Sequence, residues 1–486
     1  MNIIYKDRGK MKYILFGTGN YYQRYKAWFL KEESVVLIDN SKEKQNTTMD
    51  GFPILAPEEA IKRPYDIIVI LSFFVSEMKS QLLALGVEEK KIFHFYDIYA
   101  LFGANKIENG IIEYKTQHTI NNTKKILLLS NDCELMGPGI ALYRVALFLH
   151  NYGFNVTFGT MIDGPLRKKL LQYNIDVIVD CNLQASTMDD IEWTKQYDLI
   201  FCNTLNYHIF LMKHQLDVPI IWWLRAPCNH TKIHPKDSFG QMMIDRYGKE
   251  NFDKIDTRNI YIYTVGDIAK NALKQYMPNA QTKELLYGVE EKESNQLKNY
   301  RKSTIRFLII GYINMIKGQD ILCKAIELLT DDEKQKTEFV FVGNKSSVMA
   351  KEMEKKYGKA KNTSFIGPVD REKVNELLNE ADILICPSRL DAMPTVCVEA
   401  MMHKIPCLVS DVTGMVKYIK PFFNGLIFES ENVEDLRDKI KWCIVNKHRI
   451  REMGCNARKI FDNYFSDETF KRNIISIIEK VLLLYR

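Results

Sequence analysis

Strand-length apolar runs alternate with helix-length amphipathic stretches along almost the whole chain, and this confines it to an α/β fold built on parallel sheets. The alternation falls into three blocks. The first, roughly residues 11–100, opens with a strand at Tyr13–Phe16, then Gly17-Thr18-Gly19, then a helix to about Lys31. A second strand, Ser34–Ile38, ends in Asp39-Asn40; Tyr65–Leu71 reads as a strand and Ser76–Leu85 as a helix. Residues 102–123 are polar without clear periodicity and read as a linker. The second block, roughly 124–297, starts with the strand Lys125–Leu129, a turn at Gly137-Pro138-Gly139 and a helix from Ile140 to Asn151. Strands at Asn155–Gly159, Val177–Val179, Leu199–Cys202, Ile220–Leu224 and Ile260–Val265 follow, and 229–256 is polar and irregular. The third block, roughly 298–469, places strands at Arg306–Gly311, Glu338–Val342, Thr363–Ile366, Ile383–Cys386 and Cys407–Ser410. Asp467–Tyr485 closes the chain as a long amphipathic helix.

A chain of 486 residues exceeds one core. The blocks translate into domains at 1–105, 124–297 and 298–466, with 106–123 as linker and the helix 467–486 returning to complete the second. Hydrophobic residues at 46% and charged residues at 26% exclude a disordered or fibrous chain. The longest apolar stretch, Ile67–Val75, is interrupted by Ser72 and too short to span a membrane. The opening MNIIYKDRGKMKY lacks a signal-peptide core, so a cytoplasmic protein is expected, at the inner face of the membrane if it docks there. Ten cysteines without metal-like spacing, several inside apolar runs (Cys202, Cys386, Cys397, Cys407), read as reduced core residues; no metal site is expected. The net charge of +6 permits docking on an anionic membrane or binding of phosphorylated ligands. No basic stripe interleaved with aromatics appears, so nucleic acid is not an expected partner.

Four motifs carry candidate chemistry. In SRLDAMPTVCVEAMMHKIPCLVSDVTG, residues 388–414, Asp391 and Glu399 stand eight apart across the start of a helix predicted from Pro394 to His403. Two carboxylates can flank one pocket there, and free N–H groups at the helix start suit a diphosphate. Carboxylates also suit sugar and ribose hydroxyls, because each accepts more than one hydrogen bond. A solvated acid followed by an incidental Glu fits the same letters. The strand-end segment Gly311 to Gly318 brings a close-approach glycine and a phosphate-neutralising Lys317, or is a plain turn. Gly137-Pro138-Gly139 is either a ligand-facing loop or a simple strand-to-helix turn. Gly17-Thr18-Gly19, with Asp39 about 20 residues on, is a truncated dinucleotide fingerprint whose third glycine position falls near Tyr22. It points to NAD or another nucleotide in the first domain, or to a degenerate fold used for packing.

The last three-quarters of the chain resembles the family 4 retaining glycosyltransferases of the GT-B fold. The resemblance runs in order through LMGPGIALYRVALFLHNYGFNVTF, VPIIWWLRAP, YTVGDIAKNAL, LLYGVEE, IGYINMIKGQDILCKAI, FVFVGN, FIGPV and the 388–414 stretch. That last stretch matches the family's paired-acid motif, with Asp391 where Glu is usual. The fold implied is α/β: two Rossmann-like domains of a GT-B catalytic unit, preceded by a third, smaller one resembling nucleotide-binding domains found with sugar-modifying enzymes. The resemblance implies that Glu399 binds the nucleotide ribose and Asp391 the donor-sugar hydroxyls. It implies that Lys317 binds the diphosphate, aided by the amides of Thr395 and Val396 after Pro394. Gly137, Pro138 and Gly139 would cover that diphosphate, and Gly311, Asn344, Arg225 and Arg389 would contribute donor contacts. Tyr312 stands where the family often has Arg, and Arg389 is the candidate substitute. The resemblance further implies a nucleotide-diphosphate sugar as donor, no required cofactor or metal, and a glycan or lipid-linked acceptor in surface polysaccharide synthesis. A catalytically inactive nucleotide-sugar scaffold and a same-fold sugar-nucleotide epimerase are the alternatives.

Overall fold

The computed structural model describes residues 11–30, 32, 35–72, 75–95, 98, 111–116, 124–135, 137–180, 183, 189–225, 252–291, 304–345 and 347–485. The chain divides into two compact units, residues 1–197 with 207–216 and residues 198–206 with 217–486.

In the first unit, β1 (Tyr13–Phe16), β2 (Val35–Ile38), β3 (Thr47–Met49), β4 (Phe52–Leu55), β5 (Ile67–Ile70) and β6 (Ile92–His94) form a sheet in the order β3-β4-β2-β1-β5-β6. Parallel pairing of β1 with both β2 and β5 puts β1 at the centre. Its alternate residues enter different cores: Tyr13 and Leu15 pack with Trp28 and Phe29, Ile14 and Phe16 with Ala60 and Leu82. The antiparallel β3–β4 pair turns on Asp50-Gly51, with φ of 52° and 84°, the left-handed pair that a two-residue hairpin requires.

The same unit holds β7 (Ile111–Tyr114), β8 (Lys125–Ser130), β9 (Asn155–Thr160) and β10 (Asp176–Asp180), in the order β8-β9-β10-β7. The first three run parallel, joined by the helices Gly137–Tyr152 and Pro165–Gln172. Strand β7 lies antiparallel along β10, inside the stretch read from sequence as linker.

In the second unit β11 (Leu199–Asn203), β12 (Ile220–Leu224), β13 (Ile260–Thr264) and β14 (Thr282–Glu284) pair in parallel. The indole N–H of Trp222 donates to the Thr204 carbonyl at 2.8 Å and that of Trp223 to the Leu285 carbonyl at 2.9 Å, so both large rings are buried with their polar atoms satisfied. Phe470, on the last helix (Asp467–Leu484), stacks on Trp223 with ring centroids 5.8 Å apart. The remaining sheet comprises β15 (Ile305–Ile310), β16 (Thr337–Val342), β17 (Thr363–Ile366), β18 (Ile383–Cys386), β19 (Cys407–Ser410) and β20 (Gly425–Phe428). Its order is β17-β16-β15-β18-β19-β20, parallel throughout. Chain order reverses between β15 and β18, and the crevice beyond the carboxyl ends of such a pair is where open α/β sheets bind ligands. Among the described residues, Cys133, Cys202, Cys323, Cys386, Cys397, Cys407 and Cys443 are buried free thiols, and Cys455 is exposed.

The α/β architecture of several parallel, Rossmann-like sheets is therefore as the sequence implies. The polar, irregular stretch 229–256 lies mostly outside the described residues.

Candidate donor-binding site

The carboxyl ends of β15 and β18 bring the two strongest sequence motifs together. After β15, Gly311 gives its N–H to the Val342 carbonyl at 2.9 Å, and the chain passes through a short turn, Met315–Lys317. Asn314 caps that turn, its side chain accepting from the Lys317 N–H at 3.0 Å. Gly318 then takes φ 68°, and a Cβ there would sit 2.0 Å from the Pro387 carbonyl oxygen, so only glycine lets this turn lie against the end of β18. The result is contact: Lys317 Nζ donates to Asp391 Oδ2 at 2.6 Å. Burial works against the Lys317 charge, but the adjacent carboxylate outweighs it and holds the ammonium above its ordinary pKa, so it is a cation at neutral pH.

The paired-acid segment is fixed on both sides. Asp391 Oδ1 accepts from the Met393 N–H at 3.2 Å, and the Asp391 carbonyl accepts from the Gly414 N–H at 2.9 Å. Pro394, at φ −65°, is the N-cap rather than the first residue of the helix Thr395–Met402, one position later than expected. Thr395 is exposed and Val396 half-buried, in the first turn where backbone N–H groups have no helical acceptor. Glu399 is buried one turn further in, 6% exposed, and its carboxylate meets Arg371 Nη2 at 2.7 Å. Burial raises the Glu399 pKa, and the Arg371 guanidinium opposes that rise only in part. The exposed Asn344 follows β16, on the same edge of the sheet as Gly311.

Arg389 differs from its expected role. Its guanidinium is 7% exposed and committed inward: Nη1 and Nη2 reach Asp320 at 2.7 and 2.8 Å, Nη1 reaches the Met315 carbonyl at 2.6 Å, and Nε bonds Glu431. With its donors spent, it braces the Lys317 turn instead of facing a ligand, and so does not replace the charge absent at Tyr312. Arg225, half-buried after β12, lies over the rings of Trp223 and Tyr287 at 4.8 and 5.5 Å. Tyr287 is the residue the sequence reading passed over. Its buried hydroxyl donates to the Met393 carbonyl at 2.6 Å and so links Arg225 to the Asp391 segment. Its only sequence signal was its place in LLYGVEE. Arg371 gave none, being one basic residue at the start of a polar helix.

In the first unit, Gly137 and Gly139 belong to the first turn of the helix Gly137–Tyr152, not to a loop before it. A Cβ on Gly139 would stand 2.7 Å from the Glu134 carbonyl oxygen, so that glycine serves packing. Of Pro138 only its place in this helix is described. In the N-terminal sheet, a cavity of about 350 Å³ is lined by Gly17, Thr18, Gly19, Asp39, Lys44 and their neighbours. Asp39 is already occupied: it accepts from the Thr18 hydroxyl, the Thr18 N–H at 3.2 Å, the Ser41 N–H at 2.9 Å and Lys44 Nζ at 3.3 Å. Burial raises its pKa, but these donors outweigh it and the net shift is downward. A ribose diol would have to compete with all four, which argues against the NAD expectation.

Known proteins resemble this chain in two segments and in fold. The profile described as "Glycosyl transferases group 1" matches residues 290–460, and that described as "C2185-like, N-terminal" matches residues 9–93. An uncharacterized glycosyltransferase of Methanocaldococcus jannaschii is 25% identical over 281 residues, covering 56% of this chain and 71% of the relative. The capsular polysaccharide biosynthesis glycosyltransferase CapH of Staphylococcus aureus is 24% identical over 224 residues, 45% of this chain and 60% of its own length. Among solved structures, Anabaena HepE in complex with UDP and glucose superposes with a TM-score of 0.58 at 17% identity, covering 73% of this chain and 99% of that one. Residues 290–460 thus resemble a group 1 glycosyl transferase domain, and the chain shares the GT-B fold of these solved structures. The Lys317–Asp391 pair and Glu399 lie inside the matched segment.

Proposed function

We propose that the protein is a retaining glycosyltransferase that moves a hexosyl group from a nucleotide-diphosphate sugar to a glycan or lipid-linked acceptor in surface polysaccharide synthesis. The observation that carries this reading is the Lys317–Asp391 ion pair, 2.6 Å long, at the carboxyl end of the reversal between β15 and β18, with the buried Glu399 on the helix that follows. In the free protein the ammonium and carboxylate hold each other. A bound donor exchanges partners: Lys317 turns to the diphosphate, with the amides of Thr395 and Val396, and Asp391 is released to the sugar hydroxyls. Glu399 takes the ribose. Positive charge fixed in a partly dehydrated site stabilises the leaving diphosphate, which is the metal-independent route to this chemistry. The acceptor hydroxyl attacks on the face the diphosphate leaves: the glycosidic C–O bond forms as the sugar–phosphate C–O bond breaks, and the hydroxyl proton passes to the departing phosphate oxygen, without a covalent glycosyl-enzyme. Asn344, Gly311 and Arg225 are proposed as further donor contacts, and the Gly17, Gly19 and Asp39 cavity as an accessory nucleotide pocket.

The helix 467–486 is proposed to complete the 124–297 domain, and the protein to work from the cytoplasm at the inner membrane face; among the described residues no helix is long and apolar enough to cross a membrane. The deciding experiment is a nucleotide-sugar panel followed by product analysis, run on wild type, Lys317→Ala and Glu399→Ala. Turnover of one donor, with losses of about 100-fold or more in the Lys317 variant, is expected. Wild-type rates in both variants sink the assignment. Tyr312, in place of a cation, favours one second reading, an inactive donor-binding scaffold; tight donor binding with neither transfer nor hydrolysis would establish it.

A further inference from the structure

The loop that leads into β20, Lys420–Asn424, presents two adjacent aromatic rings to the outside: Phe422 is 40% exposed and Phe423 47%. It is a built loop. The buried Asn424 braces it from within, its Oδ1 accepting from the Lys420 N–H at 2.7 Å and its Nδ2 donating to the Tyr418 carbonyl at 2.8 Å. The Phe422 N–H bonds the Gly425 carbonyl at 2.9 Å and the Phe423 N–H the Lys420 carbonyl at 3.1 Å. Both phenylalanine carbonyls are also held, by Arg449 Nη2 and Asn456 Nδ2, each at 3.2 Å. Phe422 takes φ 63°, a left-handed conformation that an aromatic L-residue rarely adopts. Cations surround the pair: Lys420 Nζ lies 5.3 Å from the Phe423 ring centre, and Arg449 lies 5.4 Å from the ring of Trp442, itself 5.0 Å from Phe422. Lys447 and Arg451 add charge on the same helix as Arg449, against the single acid Glu452.

We infer that the Phe422–Phe423 loop is a docking tip for an anionic lipid surface. Three features fit that partner together. Rings that project beyond a satisfied backbone can enter the headgroup boundary without dragging unpaired N–H or C=O groups with them. Lys420 and Arg449 stand at the level where anionic headgroups would lie. The loop sits at the amino end of β20, whereas Lys317 and Asp391 lie at the carboxyl ends of parallel β15 and β18, so docking leaves the donor site open. The inference rests on the membrane-face reading proposed above and names the surface that would carry it.

The test uses the full chain with sedimenting phosphatidylcholine vesicles, with and without phosphatidylglycerol. Wild type should pellet with the anionic vesicles and less so as salt rises. The Phe422→Ser/Phe423→Ser double variant should lose about tenfold in partitioning, and Lys420→Glu should lose the salt-sensitive part. Both should keep wild-type donor turnover, which also reports that they fold. Pelleting no greater with anionic than with neutral vesicles overturns the inference, as does a double variant that binds like wild type. A double variant that instead loses self-association would assign the rings to a second copy of the chain and overturn the lipid reading. Vesicle binding that persists in a protein without donor turnover would leave the docking tip standing while the enzymatic reading falls.

Discussion

Glu399 and Arg371 pose the sharpest question at the scale of single residues. A buried carboxylate is costly to ionise, and here one partly exposed guanidinium is its counter-charge. Because the folded pKa of Glu399 is raised, the stability its neutral form contributes is present at low pH and is lost as pH rises through the folded value. The ionised form, which should accept hydrogen bonds from the ribose hydroxyls, predominates only above that value. Arg371→Ala removes the opposing influence and pushes the carboxyl further up. The acid limb of donor binding, read as 1/KM against pH, is therefore expected to move to higher pH. An unmoved limb would mean that Glu399 is not the group being titrated. Lys317 shows the converse: its pKa is held up by Asp391, so it should not be the source of any limb near neutrality.

Elements explain why the site was partly legible in sequence. The β15, β16, β18 and β19 runs are apolar and close to continuous, so strand positions were readable to within a residue or two. The paired-acid spacing was readable because a helix must start between the two carboxylates. Pattern could not show crowding. Gly137-Pro138-Gly139 reads as a loop, yet the helix already begins at Gly137, and Gly139 passes too close to the Glu134 carbonyl for a side chain. Arg389 reads as a ligand contact from its neighbours, yet Asp320 and Glu431, 69 and 42 residues away, claim it. The short strands β3, β4, β6, β7 and β14 and the late β20 were missed, having too few apolar residues or too little length to set a period. Gly318 is where this crowding can be tested. Gly318→Ala forces a Cβ onto the Pro387 carbonyl at a left-handed φ. It should cost about 2 kcal/mol or more in a urea midpoint and displace Lys317. Turnover should fall further than the stability change alone explains.

For the whole molecule, the notable connection is between the last helix and β12. Phe470 is 3% exposed and stacks on Trp223, whose neighbours Trp222 and Leu224 are equally buried. Phe470→Ala should destabilise by about 3 kcal/mol, measured by denaturant unfolding of the second unit, since truncating a buried ring leaves a cavity as well as losing apolar contact. Phe470→Leu should recover most of it. The same pairing sets an order of events during synthesis. Trp223 leaves the ribosome long before Phe470 does, a delay on the order of ten seconds or more at ordinary translation rates. For that interval the indole lacks the stacked ring that covers one of its faces. A nascent chain at this stage should be unusually dependent on chaperones, and unusually vulnerable to proteases if translation stops early.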